Sequence, residues 1–278
     1  MTGVTNVRRK LCAAPHIVWS FIFILAPLAF VIYYAFTDSA GVFTLENITA
    51  LFSANYGAIF VRSICYAMIA TAVCLIIAYP AAYVISRSGA RRQGVLIMLV
   101  MLPMWMNLLI RTYSWMAIIQ DTGFLNSLLS HLGIGPVHVI NTPGAVILGM
   151  VYNYLPYMIL PIYSVMTKID TRVVEAAYDL GASRYQVFSK VTLPLSISGV
   201  ISGITMVFVP SISTFYISQK MGGGSYDMIG DAIERQFMNS YNYNLGASMS
   251  LVLMVLIFIC MAIMNKFSDG DGAGEVIV

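Results

Sequence analysis

Charge is what this sequence has least of. Asp, Glu, Lys and Arg make up 10% of its 278 residues, against 59% apolar side chains and a mean hydropathy of +0.82. A soluble domain is about half apolar and about a quarter charged, so the shortage excludes an ordinary water-soluble fold and places the chain in lipid. The net charge is only +3 and the basic residues are scattered, which leaves no concentrated patch for nucleic acid.

Cysteine and histidine are scarce as well. Cys12, Cys65, Cys74 and Cys260 lie in or beside apolar runs with no metal-type spacing. Cys65 and Cys74 would share one helix, ~13 Å apart at about 1.5 Å rise per residue and on opposite faces, too far for a disulfide. All four read as packing residues. His16, His131 and His138 form no ligand motif either. The chain lacks G-x-x-x-x-G-K-[ST], and indeed any Gly-Lys pair, so it has no P-loop to cradle nucleotide phosphates. With no His/Asp/Glu cluster and no activated nucleophile, an enzyme is not expected, nor a cofactor or metal.

What is present is long apolar runs. About 20 such residues cross a bilayer as a helix, and six stretches qualify: 16–36, 61–86, 95–119, 144–166, 196–218 and 246–266. Pro27, Pro80, Pro103, Pro156, Pro161 and Pro210 fall inside them and predict kinks rather than breaks. Arg8, Arg9 and Lys10 precede the first stretch in the manner of a signal peptide, but that stretch is too long for an h-region and no A-x-A-like site follows, so it is expected to remain as an anchor. None of the six contains Asp or Glu.

Basic residues set the expected orientation. Arg8, Arg9, Lys10, Arg87, Arg91, Arg92, Lys168, Arg172, Arg184, Lys190 and Lys266 flank one side, while Lys220 and Arg235 flank the other. Both termini and the 167–195 loop are therefore expected in the cytoplasm. The sequence divides into residues 1–60 (cytoplasmic N-terminus, first membrane helix and outer loop), a 61–266 core with five membrane helices, and a 267–278 cytoplasmic tail.

One polar island, "EAAYDLGASRYQVFSKVTLP" from Glu175 to Pro194, interrupts this pattern. Asp170 can cap a short helix with Val173, Ala177 and Leu180 at helical spacing, and Gly181 stands where a left-handed residue ends it. Ser183 and Gln186 then have capping-box spacing for a second helix, whose end Pro194 marks. Small Ala176 and Ala177 would let another surface approach closely. On spacing alone, the island could equally be an amphipathic loop on the membrane.

The spacing E-A-A, three residues, Gly, nine residues, V-T-L-P resembles the EAA loop of binding-protein-dependent ABC importer permeases, with Val191 in place of the usual Ile. "MLPMWMNLLIRTYSW", "GFLNSLL", "GMVYNYLPYMILPIYS" and "FYISQKMGG" extend the resemblance to the permeases of spermidine/putrescine importers. The resemblance implies an all-α integral membrane protein, six transmembrane helices with a cytoplasmic two-helix coupling loop, of the type I importer architecture. It implies a multi-pass permease of the bacterial inner membrane, surrounded by lipid. The partners would be a second permease in a heterodimer, two cytoplasmic ATPase subunits and a periplasmic or extracellular substrate-binding protein. Glu175, Ala176, Ala177 and Gly181 would contact the ATPase, with Leu193 and Pro194 setting the return into the membrane.

Arg111 is the one charge well inside a span, at about 2.5–3.5 kcal/mol on insertion scales. Asn107, Arg111 and Ser114 have the spacing of one polar stripe, with Trp105 and Trp115 nearby. Either the arginine snorkels or pairs structurally, or it faces a pathway. Tyr154, Tyr157 and Tyr216 belong to an abundant set of 17 tyrosines. These would be interfacial belts, or aromatic faces holding ammonium groups. The 219–245 loop reads as a turn and then a short helix, and its Asp227, Asp231 and Glu234, with Asp121, are the candidate contacts for the outside binding protein. A permease for another small solute, or less favoured a stand-alone secondary transporter, is the alternative. The latter tends to show internal repeats and an ionisable site within its spans, neither of which is evident here.

Overall fold

The computed structural model describes residues 15–269; Arg8, Arg9, Lys10, Cys12 and the tail from 270 onward lie outside them. The described chain is almost entirely helical, with an isolated antiparallel bridge between Thr37 and Phe43. Its helices are α1 (Pro15–Ala35), α2 (Glu46–Ala50), α3 (Ala54–Ser86), α4 (Ala90–Trp105), α5 (Leu108–Ile119), α6 (Phe124–His131), α7 (Pro143–Met166), α8 (Thr171–Asp179), α9 (Arg184–Ile212), α10 (Tyr216–Met221), α11 (Ile229–Met238) and α12 (Tyr243–Asp269). Five of them, α1, α3, α7, α9 and α12, are long and apolar enough to cross a membrane singly.

The third expected span differs. Residues 95–119 do not form one rod: α4 ends at Trp105, and the next helical stretch, Leu108–His131, leaves at 93°. Met106 and Asn107 are extended (ψ 146° and 134°), and the Asn107 side chain accepts the Leu109 N–H as the cap of α5. A side chain that satisfies one of the orphan amides of a new helix favours starting that helix over continuing the old one.

Two other helices absorb a proline behind a widened turn, and for one of them this departs from expectation. Pro194 does not end a short helix. The segment from Arg184 runs through into the membrane stretch as one 29-residue helix. A π turn at Phe188–Thr192, closed by Leu193 N–H to the Phe188 carbonyl, lies just before the proline. In α1 a π turn at Phe21–Leu25 likewise stands just before Pro27. Widening the turn relieves the clash between a proline ring and the carbonyl four residues back, so the helix continues instead of stopping.

Contacts divide the chain into two compact units, one made of residues up to Gly57 with Ala232–Val255, the other of Ala58–Asp231 with residues from Leu256 onward. In the first unit the end of α1 is closed by side chains. Asn244 Nδ2 donates to the Thr37 carbonyl at 2.6 Å, Asn47 Nδ2 to the same carbonyl at 2.8 Å, and Ser248 Oγ to the Ala35 carbonyl at 3.0 Å. They satisfy carbonyls that the helix end leaves without intrahelical donors.

The core of the second unit is built on α7. Along α3, Ala70, Cys74, Ala78 and Ala82 are fully buried in one stripe, and Cys74 Sγ lies 3.8 Å from the Val151 carbonyl of α7. On α9, a Cβ at Gly199 would stand 2.9 Å from the Pro161 carbonyl oxygen and 3.1 Å from the Ile162 Cα. That approach needs glycine, the usual device by which helices in lipid pack closely. Tyr79 ties α3 to α9 through a 2.8 Å contact with Ser196. Because Ser196 gives its proton to the Leu193 carbonyl at 3.0 Å, the tyrosine is the donor.

Candidate functional site

The loop between α7 and α9 is built locally. Asp170 caps α8 by accepting the Arg172 N–H at 2.9 Å. At the other end Gly181 has φ +81°, Gly181 N–H donates to the Tyr178 carbonyl at 2.8 Å and Ala182 N–H to the Ala177 carbonyl at 3.1 Å. These are the two bonds of a Schellman motif. Ser183 and Gln186 then form a complete capping box at the start of α9.

α8 does not bury the face that its spacing suggests. Val174 is buried, whereas Val173 is exposed and Leu180 is 88% exposed. Among the described residues no element covers the Val173–Leu180 face, so the apolar periodicity is left without a partner there. Glu175, Ala176 and Gly181 are exposed and Ala177 is half-buried. Ala177, Leu180, Gly181, Ala182, Gln186, Lys190 and Val191 line a shallow cleft of about 340 Å³. Leu193 and Pro194 stand farther along α9, beyond the π turn, and are exposed as well. The sequence reading missed Tyr185, 78% exposed beside this cleft-bearing turn. Its signal was an aromatic within a polar island.

Aromatic packing seats the loop on the bundle. Phe188, in the π turn, presents edge contacts to Tyr79 and Tyr83 at 5.7 and 6.1 Å between ring centres. A second tie runs through Gln93, whose Nε2 donates to the Ser86 and Ser88 carbonyls while its Oε1 accepts from the Tyr163 hydroxyl at 3.1 Å. The α3–α4 turn is thereby fixed to α7.

The expected pathway residues divide into groups. Trp105 closes α4 and is 71% exposed, while Trp115 packs edge-on against Tyr152 at 5.2 Å. Tyr154 and Tyr157 lie together with ring centres 6.4 Å apart, and the Tyr154 hydroxyl donates to the Pro210 carbonyl at 3.3 Å. Tyr216 pairs edge-on with Tyr113, and the Lys220 ammonium lies 5.9 Å from both rings. That lysine was legible only as an i, i+4 partner of Tyr216. The polar stripe does not form. Asn107 precedes α5 as its cap, Ser114 is exposed and turned back to the Ile110 carbonyl, and Arg111 alone is buried. The Asn107 side chain is taken up by the Leu109 N–H at the helix start instead of joining the other two.

The carboxylates also separate. Asp121 is exposed, 2.8 Å from His138 Nδ1. Asp227 and Glu234 are half-buried, and the backbone carbonyl of Asp227 accepts from the Arg62 guanidinium. Asp231 is 2% exposed and accepts the Met228 N–H at 2.6 Å, so it folds its own loop rather than standing at a rim. Among the described residues no group of three or more His, Cys, Asp or Glu could hold a metal ion.

Residues 75–270 match the family described as binding-protein-dependent transport system inner membrane component. The spermidine/putrescine transport system permease protein PotB of Haemophilus influenzae is 37% identical over 264 residues, 92% of each chain. PotB of Escherichia coli is 37% identical over 86% of this chain and 90% of its own. Among solved structures, a chain of a bacterial alginate ABC transporter in complex with an alginate pentasaccharide-bound periplasmic protein superposes with a TM-score of 0.78 at 16% identity, covering 99% and 100% of the two chains. A chain of the MetNI methionine ABC transporter in inward-facing conformations gives 0.59 at 16% identity, covering 77% and 94%. At such identities the likeness concerns the fold.

Proposed function

Since this chain belongs to the binding-protein-dependent transport system inner membrane component family, and so is a multi-pass inner-membrane transport permease rather than an enzyme, we propose that it forms the translocation pathway for polyamines together with a second permease. The observation that carries the substrate class is the 37% identity to spermidine/putrescine permeases across nine-tenths of both chains. Of two cytoplasmic ATPase subunits in the assembly, one would dock on Glu175, Ala176, Ala177 and Gly181 of this chain, with Leu193 and Pro194 transmitting the movement into α9. The exposed apolar face of α8 and the cleft at Gly181 support that reading, because an amphipathic helix lays its apolar face into a partner's groove. Both termini would be cytoplasmic. The binding protein would approach from the opposite side, where Asp121 offers the exposed carboxylate and Asp227, Asp231 and Glu234 shape the loop.

In the pathway, Trp105, Trp115, Tyr154, Tyr157 and Tyr216 offer aromatic faces, which attract ammonium groups without placing an anion in the membrane. Asn107 fixes the break between α4 and α5, and Arg111 organises its surroundings. The test is ATP-dependent uptake of labelled spermidine and putrescine into proteoliposomes holding both permeases, the ATPase and the binding protein. Saturable uptake that unlabelled polyamine competes away is expected. Uptake of a different solute alone, or gradient-driven transport by this chain without partners, would replace the proposal.

A further inference from the structure

Arg111 is a buried cation without a counter-charge among the described residues. It is 9% exposed, and its Nε and Nη1 have no hydrogen-bond partner. Among the described residues the other charged side chain this deeply buried is Asp231, which caps Met228 in the α10–α11 loop, and no ion pair to Arg111 is formed. Its neighbour Thr112 is buried too, but the Thr112 hydroxyl is already engaged with the Leu108 carbonyl at 2.9 Å. Burying an unpaired charge is among the costliest arrangements a fold can hold.

The location adds to the imbalance. Arg111 lies at the start of the 12-residue α5, which begins afresh at the Asn107 cap. The first turn of a helix carries the positive end of its dipole, so a cation there is unfavourable and an anion favourable. Guanidinium and dipole both call for negative charge at one point. Trp115, a candidate pathway residue, stands four residues on along α5, one helical turn from Arg111, which sets the point beside the candidate pathway. A polyamine is cationic and cannot be the missing anion.

We propose that Arg111 receives a carboxylate from a membrane segment of the second permease, an inter-subunit ion pair beside the pathway; this rests on the two-permease reading above. Nε and Nη1 are covered by this chain itself, so the carboxylate would meet the guanidinium at Nη2, the nitrogen that keeps accessible surface, in a charge-assisted bond. A fixed side chain keeps the charge paired throughout the transport cycle, whereas an exchanging solute would leave it bare for part of each turn.

The experiment co-expresses both permeases with the ATPase and measures how much second permease co-purifies, a readout that needs no substrate. Arg111→Gln should lower co-purification at least about tenfold, because removing one member of a buried pair strands the other. Arg111→Lys should fall between the two. Arg111→Glu should abolish assembly, and one acid→Arg change among the carboxylates in the second permease's spans should restore it, which a merely misfolded chain would not allow. Absence of rescue by any such change overturns the ion pair, as does Arg111→Gln assembling normally, whether uptake is then normal or lost to a solute carboxylate. If the unaltered chain holds no second permease, the two-permease reading fails and the ion pair with it.

Discussion

The Ala182 amide donates to the Ala177 carbonyl at 3.1 Å across Gly181, whose φ is +81°. This bond ends α8, and two residues later the Ser183–Gln186 capping box starts α9. The angle between the two helices is therefore set by three adjacent residues. A surface that docks on α8 acts on a helix which continues without a stop through the π turn into the bundle.

Gly181→Val tests that hinge. Nothing stands within 4 Å of where its Cβ would be, so the effect is backbone strain and not a clash. A left-handed conformation costs an L-residue about 1–2 kcal/mol, and a β-branched one is worst placed. The altered chain should insert normally and lose the ATPase on purification, with Gly181→Ala milder. Full retention with full uptake would remove Gly181 from the docking device.

Phe188 links the loop to α3 through Tyr79 and Tyr83. Phe188→Ala should remove contacts worth on the order of 1.5 kcal/mol for a half-buried ring. If the loop transmits force, ATPase stays bound but binding-protein-stimulated hydrolysis and uptake fall out of step. Hydrolysis and uptake declining in equal proportion would argue against a coupling role.

Gly199→Ala probes the α7–α9 contact. The added methyl meets the Pro161 carbonyl oxygen and the Ile162 Cα, both backbone atoms that cannot swing aside. Overpacking of this kind costs about 1–3 kcal/mol. A lowered melting temperature in detergent is the expected result, and an unchanged one would mean that the helices separate easily.

What the sequence made legible here is what is local. The Asp170 cap, the left-handed Gly181 and the Ser183–Gln186 box each depend on residues within four positions, and all three are present. Proline at 194 misled because its effect depends on whether the preceding turn can widen, which propensity does not encode. Burial of Arg111 and Asp231, against exposure of Leu180, depends on what distant helices cover, and a periodic pattern shows a face without saying which chain covers it.

The orientation is tested with single cysteines in a background lacking the native four. Tyr185→Cys, exposed near the α8–α9 turn, should react with an impermeant maleimide only in inside-out vesicles. Ser240→Cys, exposed between α11 and α12, should react from outside in intact spheroplasts. The reverse pattern would invert the topology that the flanking basic residues predict.

Lys220 supplies the last test, because its ammonium already occupies the aromatic faces that a polyamine would use. It lies 5.9 Å from the centres of both Tyr113 and Tyr216. A cation over a ring gains about 0.5–1 kcal/mol at an exposed site, and a resident cation also repels an arriving one. Lys220→Met keeps the length of the stem and frees both rings. If Tyr216 lines the route, KM for spermidine should fall about two- to fivefold, the factor that this energy corresponds to. Lys220→Arg should leave KM near its original value, since the charge remains over the rings. A KM that does not move in Lys220→Met, with uptake intact, would place these rings away from the path and return Tyr216 to a packing role.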